Sequence, residues 1–460
     1  MRKIYIIGAA VFLFSACKPT ININKNATAG NADFTNYLAI GNSLTSGYTD
    51  GSLTVSGQLN SYPAMLFQQF SLIPVHGAVG PFVQPLVSGD WGYPGPKYIL
   101  GTTYNSCIPN DSSLSPIFNT GASDSAAGDY HYVSTVNNGQ INNIGVPGIR
   151  AVDYRVAGYA AFNTYAKRFY NNLAGSPLDE LYFMVHNLHP TFFTMWLGAN
   201  DVLGYALNGG QGIGDGSTQM IPGIPNLYNS VDISPITAFD TSYDEALNAA
   251  ISTGASGALI NIPDITSIPF FTTVPINGLT LTRQGQADTL AAYYAAQGVK
   301  AVFQVGANLF MIKDHLGNVR QAAPGELLLL TTPQDSITCR GWGSTVPISD
   351  SLVLTTDEIQ FIRNATAAYN AFILQETQLH HLAYVDMNSY FKTLPAGITF
   401  DGIKYSTQFV SGGAFSLDGI HPTQRGYALI SNYIIGAVNQ FYHSNITSID
   451  VNQYKGVTFP

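Results

Sequence analysis

Charge is what this sequence has least of. Only 10% of its 460 residues are Asp, Glu, Lys or Arg, against roughly 25% in an ordinary soluble domain. The formal balance of −9 includes no basic stripe, which argues against a nucleic-acid partner. Cysteine is nearly as scarce. Three are present, Cys17, Cys107 and Cys339, with no CxxC pair and no Cys/His cluster, so the spacing offers no metal site and implies no cofactor. After the first residues no uninterrupted apolar run reaches membrane-spanning length. No internal repeat is present, and the glycine-rich stretch Gly209–Gly216 (GGQGIGDG) does not match a phosphate loop. Tyr, Asn, Gly, Ser and Thr take the place of charge, a surface suited to uncharged ligands such as glycans.

The N-terminus sets the compartment. Arg2 and Lys3 precede an apolar run from Ile4 to Ala16 that closes on Ser15-Ala16-Cys17. A basic start, a short apolar stretch and a small-residue end read as a secretory signal over 1–16. Cysteine directly after the small pair resembles the lipobox of bacterial lipoproteins, although Phe14 stands where Leu is usual. The expectation is lipidation at Cys17, a flexible polar tether over 17–32, and a monomer held at the bacterial cell envelope by that anchor alone. A plain secretory signal is the alternative. Cys107 and Cys339 then remain, and in an oxidising compartment they either pair or stay as two buried thiols.

From residue 33 to 460 strand and helix patterns alternate. Short apolar runs at Tyr37–Ile40, Asn143–Val146, Phe192–Leu197, Ala258–Ile262 and Leu382–Val385 read as strands. Between them, Ser61 before Pro63, a capping box at Ser242 and Glu245, and another at Thr355 and Glu358 read as helix starts. Pro422 stands where a first helical residue would, followed by an apolar face through Phe441. Such alternation implies βαβ units: an α/β fold with a mostly parallel sheet of five strands and helices on both faces. Stretches rich in Gly, Pro and Asn, near 81–130, 207–240 and 269–341, read as long loop insertions able to wall a cleft.

Ligands of an open α/β sheet bind beyond the carboxyl ends of its strands. Ser43 follows the first strand in YLAIGNSL, Gly148 ends the second in NIGVPG, and Asn200 and Asp201 follow the third in GAND. Just before the last helix, SLDGIHPT supplies Asp418 and His421. A hydroxyl, an imidazole to take its proton and a carboxylate to orient that imidazole are the parts of acyl transfer. The N–H groups of Ser43 and Gly148 and the Asn200 amide would serve as oxyanion donors. Taken singly these blocks are unremarkable. GNSL alone is a turn, GAND alone a strand-to-loop junction with Asp201 as a helix cap, and His421 could merely precede a helix. His186, His189, His380 and His381 lack partners in sequence and read as structural.

Together, GNSL, the glycine of NIGVPG, GAND and DGIHP occur in the order and context found in the SGNH (GDSL-type) hydrolases, which this chain resembles over most of its length. The resemblance implies a flavodoxin-like three-layer sandwich. It assigns Ser43, His421 and Asp418 to a catalytic triad, and Ser43, Gly148 and Asn200 to the oxyanion hole. Asn42 departs from the family pattern, which has Asp there. The chain also looks similar to large lipoprotein members from Bacteroidetes-type bacteria. The lipase-type G-x-S-x-G elbow is absent. The expected function is a serine esterase acting on a lipid, a short-chain ester or an acetylated glycan. The rival reading is a non-catalytic glycan-binding protein on the same scaffold.

Overall fold

The computed structural model describes residues 27–108, 110–120 and 140–460. Five short strands form the central sheet: β1 (Tyr37–Gly41), β2 (Asn143–Gly145), β3 (Phe192–Trp196), β4 (Ser256–Ile260) and β5 (Ala383–Val385). All pairings are parallel and the order is β5-β4-β3-β1-β2. β1 and β3 are buried at every position, as expected of strands covered on both faces.

Two helices pack together on one face, α2 (Tyr62–Phe70) and α7 (Gln424–Tyr442). The other face carries α3 (Pro177–Leu188), α5 (Ile236–Ile251) and α6 (Thr356–Leu379). This division follows from right-handed crossovers. The chain moves outward from β1 to β2, then turns back past β1 to β3, β4 and β5, so the connecting helices change face. The reversal puts the topological switch point between β1 and β3, where α/β sheets bind ligands. Two further helices begin there, α1 (Ser43–Ser46) after β1 and α4 (Asn200–Leu207) after β3.

Several expectations change. α5 begins at Ile236 after Pro235, so no capping box forms at Ser242, which lies buried inside the helix, while Glu245 pairs with Arg155 at 3.0 Å. Pro422 precedes the last helix rather than opening it. The Thr423 hydroxyl caps α7 by accepting from the Gly426 N–H at 3.1 Å. The predicted tether ends early. Ala27, Ala29 and Ala32 are buried, Asn31 N–H donates to the Tyr442 carbonyl at 2.8 Å, and Asn445 N–H donates to the Thr28 carbonyl at 2.9 Å. Small residues let this strip lie flat against the end of α7. The signal segment 1–16 and Cys17 lie outside the described residues.

The long stretches are not plain loops. The first contains a hairpin of Tyr98–Tyr104 with Ser112–Phe118. The third builds a helix at Gln284–Ala295, antiparallel pairs of three-residue strands and two small apolar cores, one around Phe310 and Leu328, the other around Tyr294 and Phe303. Cys107 and Cys339 form a disulfide with Cα atoms 5.6 Å apart, joining these two regions. Among the described residues no helix is long and apolar enough to cross a membrane.

Candidate active site

Ser43 is the first residue of α1, where β1 turns sharply. The turn needs Gly41, because a Cβ there would come within 2.7 Å of the Trp196 carbonyl oxygen. Asn42 caps the helix, its side-chain oxygen accepting the Leu44 N–H at 3.0 Å. The residue that departs from the family pattern thus acts on the turn itself. Ser43 is only 7% exposed, and its Oγ lies 2.9 Å from His421 Nε2. His421 Nδ1 lies 2.8 Å from Asp418 Oδ2. Residues 378 positions apart in sequence are therefore in direct contact, with the carboxylate three residues before the imidazole.

Asp418 is heavily hydrogen-bonded. Its Oδ1 accepts from Ile420 N–H and His421 N–H, both at 2.8 Å, and from the Ser416 hydroxyl at 3.1 Å. Its Oδ2 also accepts from Gly51 N–H at 2.9 Å. Burial by itself would raise the pKa of this carboxyl, but the adjacent His421 and these donors outweigh it and hold it below the usual range. The ionised form is the one the site stabilises. With Asp418 accepting at Nδ1–H, the neutral imidazole presents a bare Nε2 to the serine hydroxyl.

The oxyanion candidates come from the two neighbouring strand ends. Gly148 has φ +83°, and a Cβ there would meet only Asn163 Nδ2, at 3.9 Å, so the space in front of it is open. Neither Ser43 N–H nor Gly148 N–H has a partner among the described residues. The Asn200 amide donates one hydrogen to the Ile149 carbonyl at 2.8 Å, fixing it beside Gly148, which leaves its second hydrogen unassigned. Asp201 is not a helix cap. Ala199 occupies that position, and the fully buried Asp201 carboxylate accepts Ala151 N–H at 2.7 Å. Burial still pushes it up to about 6. A buried Arg150–Asp153 pair at 2.7 Å stiffens the same segment. Asn200 and Asp201 together thus clamp the Gly148 loop to α4.

Sequence reasoning missed several contributors. The Tyr48 ring packs on His421 with centroids 4.7 Å apart, and Tyr165 packs edge-on against Tyr48 at 6.0 Å. Asp50 accepts Leu417 N–H at 3.0 Å, while its own N–H donates to the Ser416 hydroxyl at 3.0 Å. The turn carrying Asp50 and Gly51 is therefore laced to the Asp418 loop. The Asp50-Gly51 dipeptide marks a turn in sequence, but nothing local indicates its partner. The insertions reach the same loop, with Phe270 N–H donating to the Gly419 carbonyl at 2.9 Å and Tyr98 N–H to the Asp50 carbonyl at 2.8 Å. A cavity of about 480 Å³ is lined by Asp50, Lys97, Tyr98, Leu417 and Lys455 among others. Neither Ser43 nor His421 lines it, so it does not lie over the hydroxyl.

His186 and His189 are exposed, and His381 is exposed at the end of α6. His380 is different. It sits 3.3 Å from Glu376.

No family model matches the chain, and no curated protein does. Solved structures do resemble it. An extracellular lipase from Streptomyces rimosus is 13% identical, with 88% of this chain and 99% of that one covered and a TM-score of 0.34. An acetyl esterase, as a serine-to-alanine mutant with acetate ion, is 13% identical over 88% and 97%, at 0.30. A GDSL-like lipase from Bacteroides thetaiotaomicron is 11% identical over 66% and 78%, at 0.26. Likenesses this distant carry no weight for activity. The doubly wound α/β fold stands on the strand order itself.

Proposed function

We propose that the chain is a serine hydrolase of carboxylic esters. One observation carries this reading: Ser43 Oγ, His421 Nε2 and Nδ1, and Asp418 Oδ2 form a continuous relay at 2.9 and 2.8 Å at the switch point of the sheet. Ser43 attacks the ester carbonyl as His421 takes its proton. The tetrahedral oxyanion is met by the Ser43 and Gly148 N–H groups and the Asn200 amide, each such donor being worth about 3 kcal/mol to the transition state. His421 then protonates the departing alcohol. Water, activated by the same imidazole, hydrolyses the acyl-Ser43 ester. Asp418 stays ionised throughout and stabilises the imidazolium.

The aromatic side chains of Tyr48, against the imidazole, and Tyr165, behind it, support an uncharged substrate, a short-chain or lipid ester or an acetylated sugar. Anchoring at the cell envelope through Cys17 belongs to the same reading. The test is p-nitrophenyl acetate turnover with fluorophosphonate labelling. Ser43→Ala is expected to lower kcat by roughly 10⁴–10⁶ and to abolish labelling. Unchanged turnover in the purified variant rejects the assignment. If the parent chain neither turns over esters nor takes the label, the non-catalytic binding role is favoured.

A further inference from the structure

A second cluster of ionisable side chains lies between α5 and α6. Asp240 and Asp244 stand one turn apart on α5, and Glu376 and His380 stand one turn apart on α6. Side chains at i and i+4 share a helix face, so each helix offers a matched pair. The two helices pack against each other. Donor atoms of Asp244, Glu376 and His380 all lie within 4.8 Å of one another. His380 leads directly into β5, so the cluster lies at the amino-terminal side of the sheet, away from the strand ends that carry Ser43.

Some buried polar atoms of this seam lack the hydrogen bonds that such groups normally find. Glu376 has a side chain only 5% exposed, and its buried Oε2 has no hydrogen-bond partner. Its contact with His380 Nε2, at 3.3 Å, lies within ion-pair distance. Asp240 Oδ1 is also buried without a partner, as is the Tyr243 hydroxyl. Two carboxyl groups and one imidazole within 4.8 Å of one another, with no arginine or lysine in an ion pair with them among the described residues, form a site suited to a cation.

We propose that Asp244, Glu376 and His380 bind a divalent transition-metal ion of the zinc class between α5 and α6. One imidazole with carboxylates is a donor set that suits Zn²⁺ and disfavours Ca²⁺, which takes oxygen ligands only. A tetrahedral Zn²⁺ holds its donors roughly 3.3 Å apart, so the cluster must contract. Asp244 and His380 are partly exposed and can rotate inward toward the buried Glu376. The ion would neutralise the seam and pin the end of α6 to α5. It takes no part in ester hydrolysis, and the proposal is independent of that reading.

The test uses the full chain stripped with EDTA and dialysed, then titrated with ZnCl₂ by calorimetry and followed by thermal unfolding. One saturable equivalent and a rise in Tm are expected. Glu376→Gln and His380→Gln should each weaken Zn²⁺ at least tenfold and abolish the Tm rise, with far-UV circular dichroism unchanged. Co²⁺ substitution should give visible d–d bands that vanish in His380→Gln. If a variant fails to fold, Asp244→Asn, on the partly exposed side, gives the same readout. Zn²⁺ binding that is absent, or equally tight in the variants, overturns the site. So does a preference for Ca²⁺ over Zn²⁺.

Discussion

Five hydrogen-bond donors converge on the Asp418 carboxylate, whereas Glu376 Oε2, in the seam between α5 and α6, has only the His380 Nε2 contact at 3.3 Å. Both groups are buried in one α/β domain. At Asp418 the backbone N–H groups of Gly51, Ile420 and His421 point inward because two turns from distant parts of the chain face each other. At Glu376 the surrounding backbone is helical, and its N–H groups are already used. Glu180 falls between the two. Its Oε2 accepts Asn171 N–H at 2.9 Å and its Oε1 has no partner. The pKa of the Asp418 carboxyl is lowered, whereas that of Glu180, where burial outweighs the Asn171 and Asn172 N–H groups, is raised to about 7. Loops can solvate a buried carboxylate with backbone; helices cannot, and need a proton or a cation instead.

Removing the charge at the well-solvated end should have the largest effect. Asp418→Asn keeps the shape but reverses the group offered to His421 Nδ1, and is expected to lower kcat by about 10⁴. A loss below tenfold would mean that the donors around Asp418 serve the loop and not the relay. Asn200→Ala should lower kcat by roughly 10²–10³ with KM little changed. A change confined to KM would move Asn200 from transition state to ground state.

Glu180 sharpens the comparison through pH. Its folded pKa lies above its unfolded value, so folding favours the protonated form. That stability is fully present below about pH 4.5 and is lost as pH rises through about 7. Glu180→Gln should therefore flatten Tm between pH 5 and 8, with a relative gain of about 1–3 kcal/mol at pH 8. A parallel decline in parent and variant would sink the account. Smallest of all, Ser416→Ala removes one donor to Asp418 and the acceptor of Asp50 N–H. About 1 kcal/mol, or roughly fivefold in kcat, is expected. No change at all would show the remaining four donors to be sufficient.

The sequence was informative where short-range chemistry acts. The five strands fall within a residue or two of their apolar runs, and the capping boxes of α6 at Thr355 and Glu358 and the cap of α2 at Ser61 form as their spacing predicts. The box at Ser242 fails because α5 starts two turns earlier, its apolar face at Phe239, Tyr243 and Leu247 holding the helix against the sheet. Burial of that face outweighs a cap worth about 1 kcal/mol. In the third insertion, strands of three residues are too short to show a period. The Tyr48–His421 and Asp50–Leu417 contacts join residues more than three hundred and sixty positions apart, and no local pattern can encode them.

By itself the sequence determined which residues could do chemistry and in what order they follow the strands, because apolar periodicity and turn composition are properties of neighbours. Tertiary structure alone decided that the Ser43 turn meets the His421 loop, which carboxylates find hydrogen bonds and which do not. Those outcomes depend on which backbone groups are left over after helices and sheet have formed, and that is known only once the chain is packed.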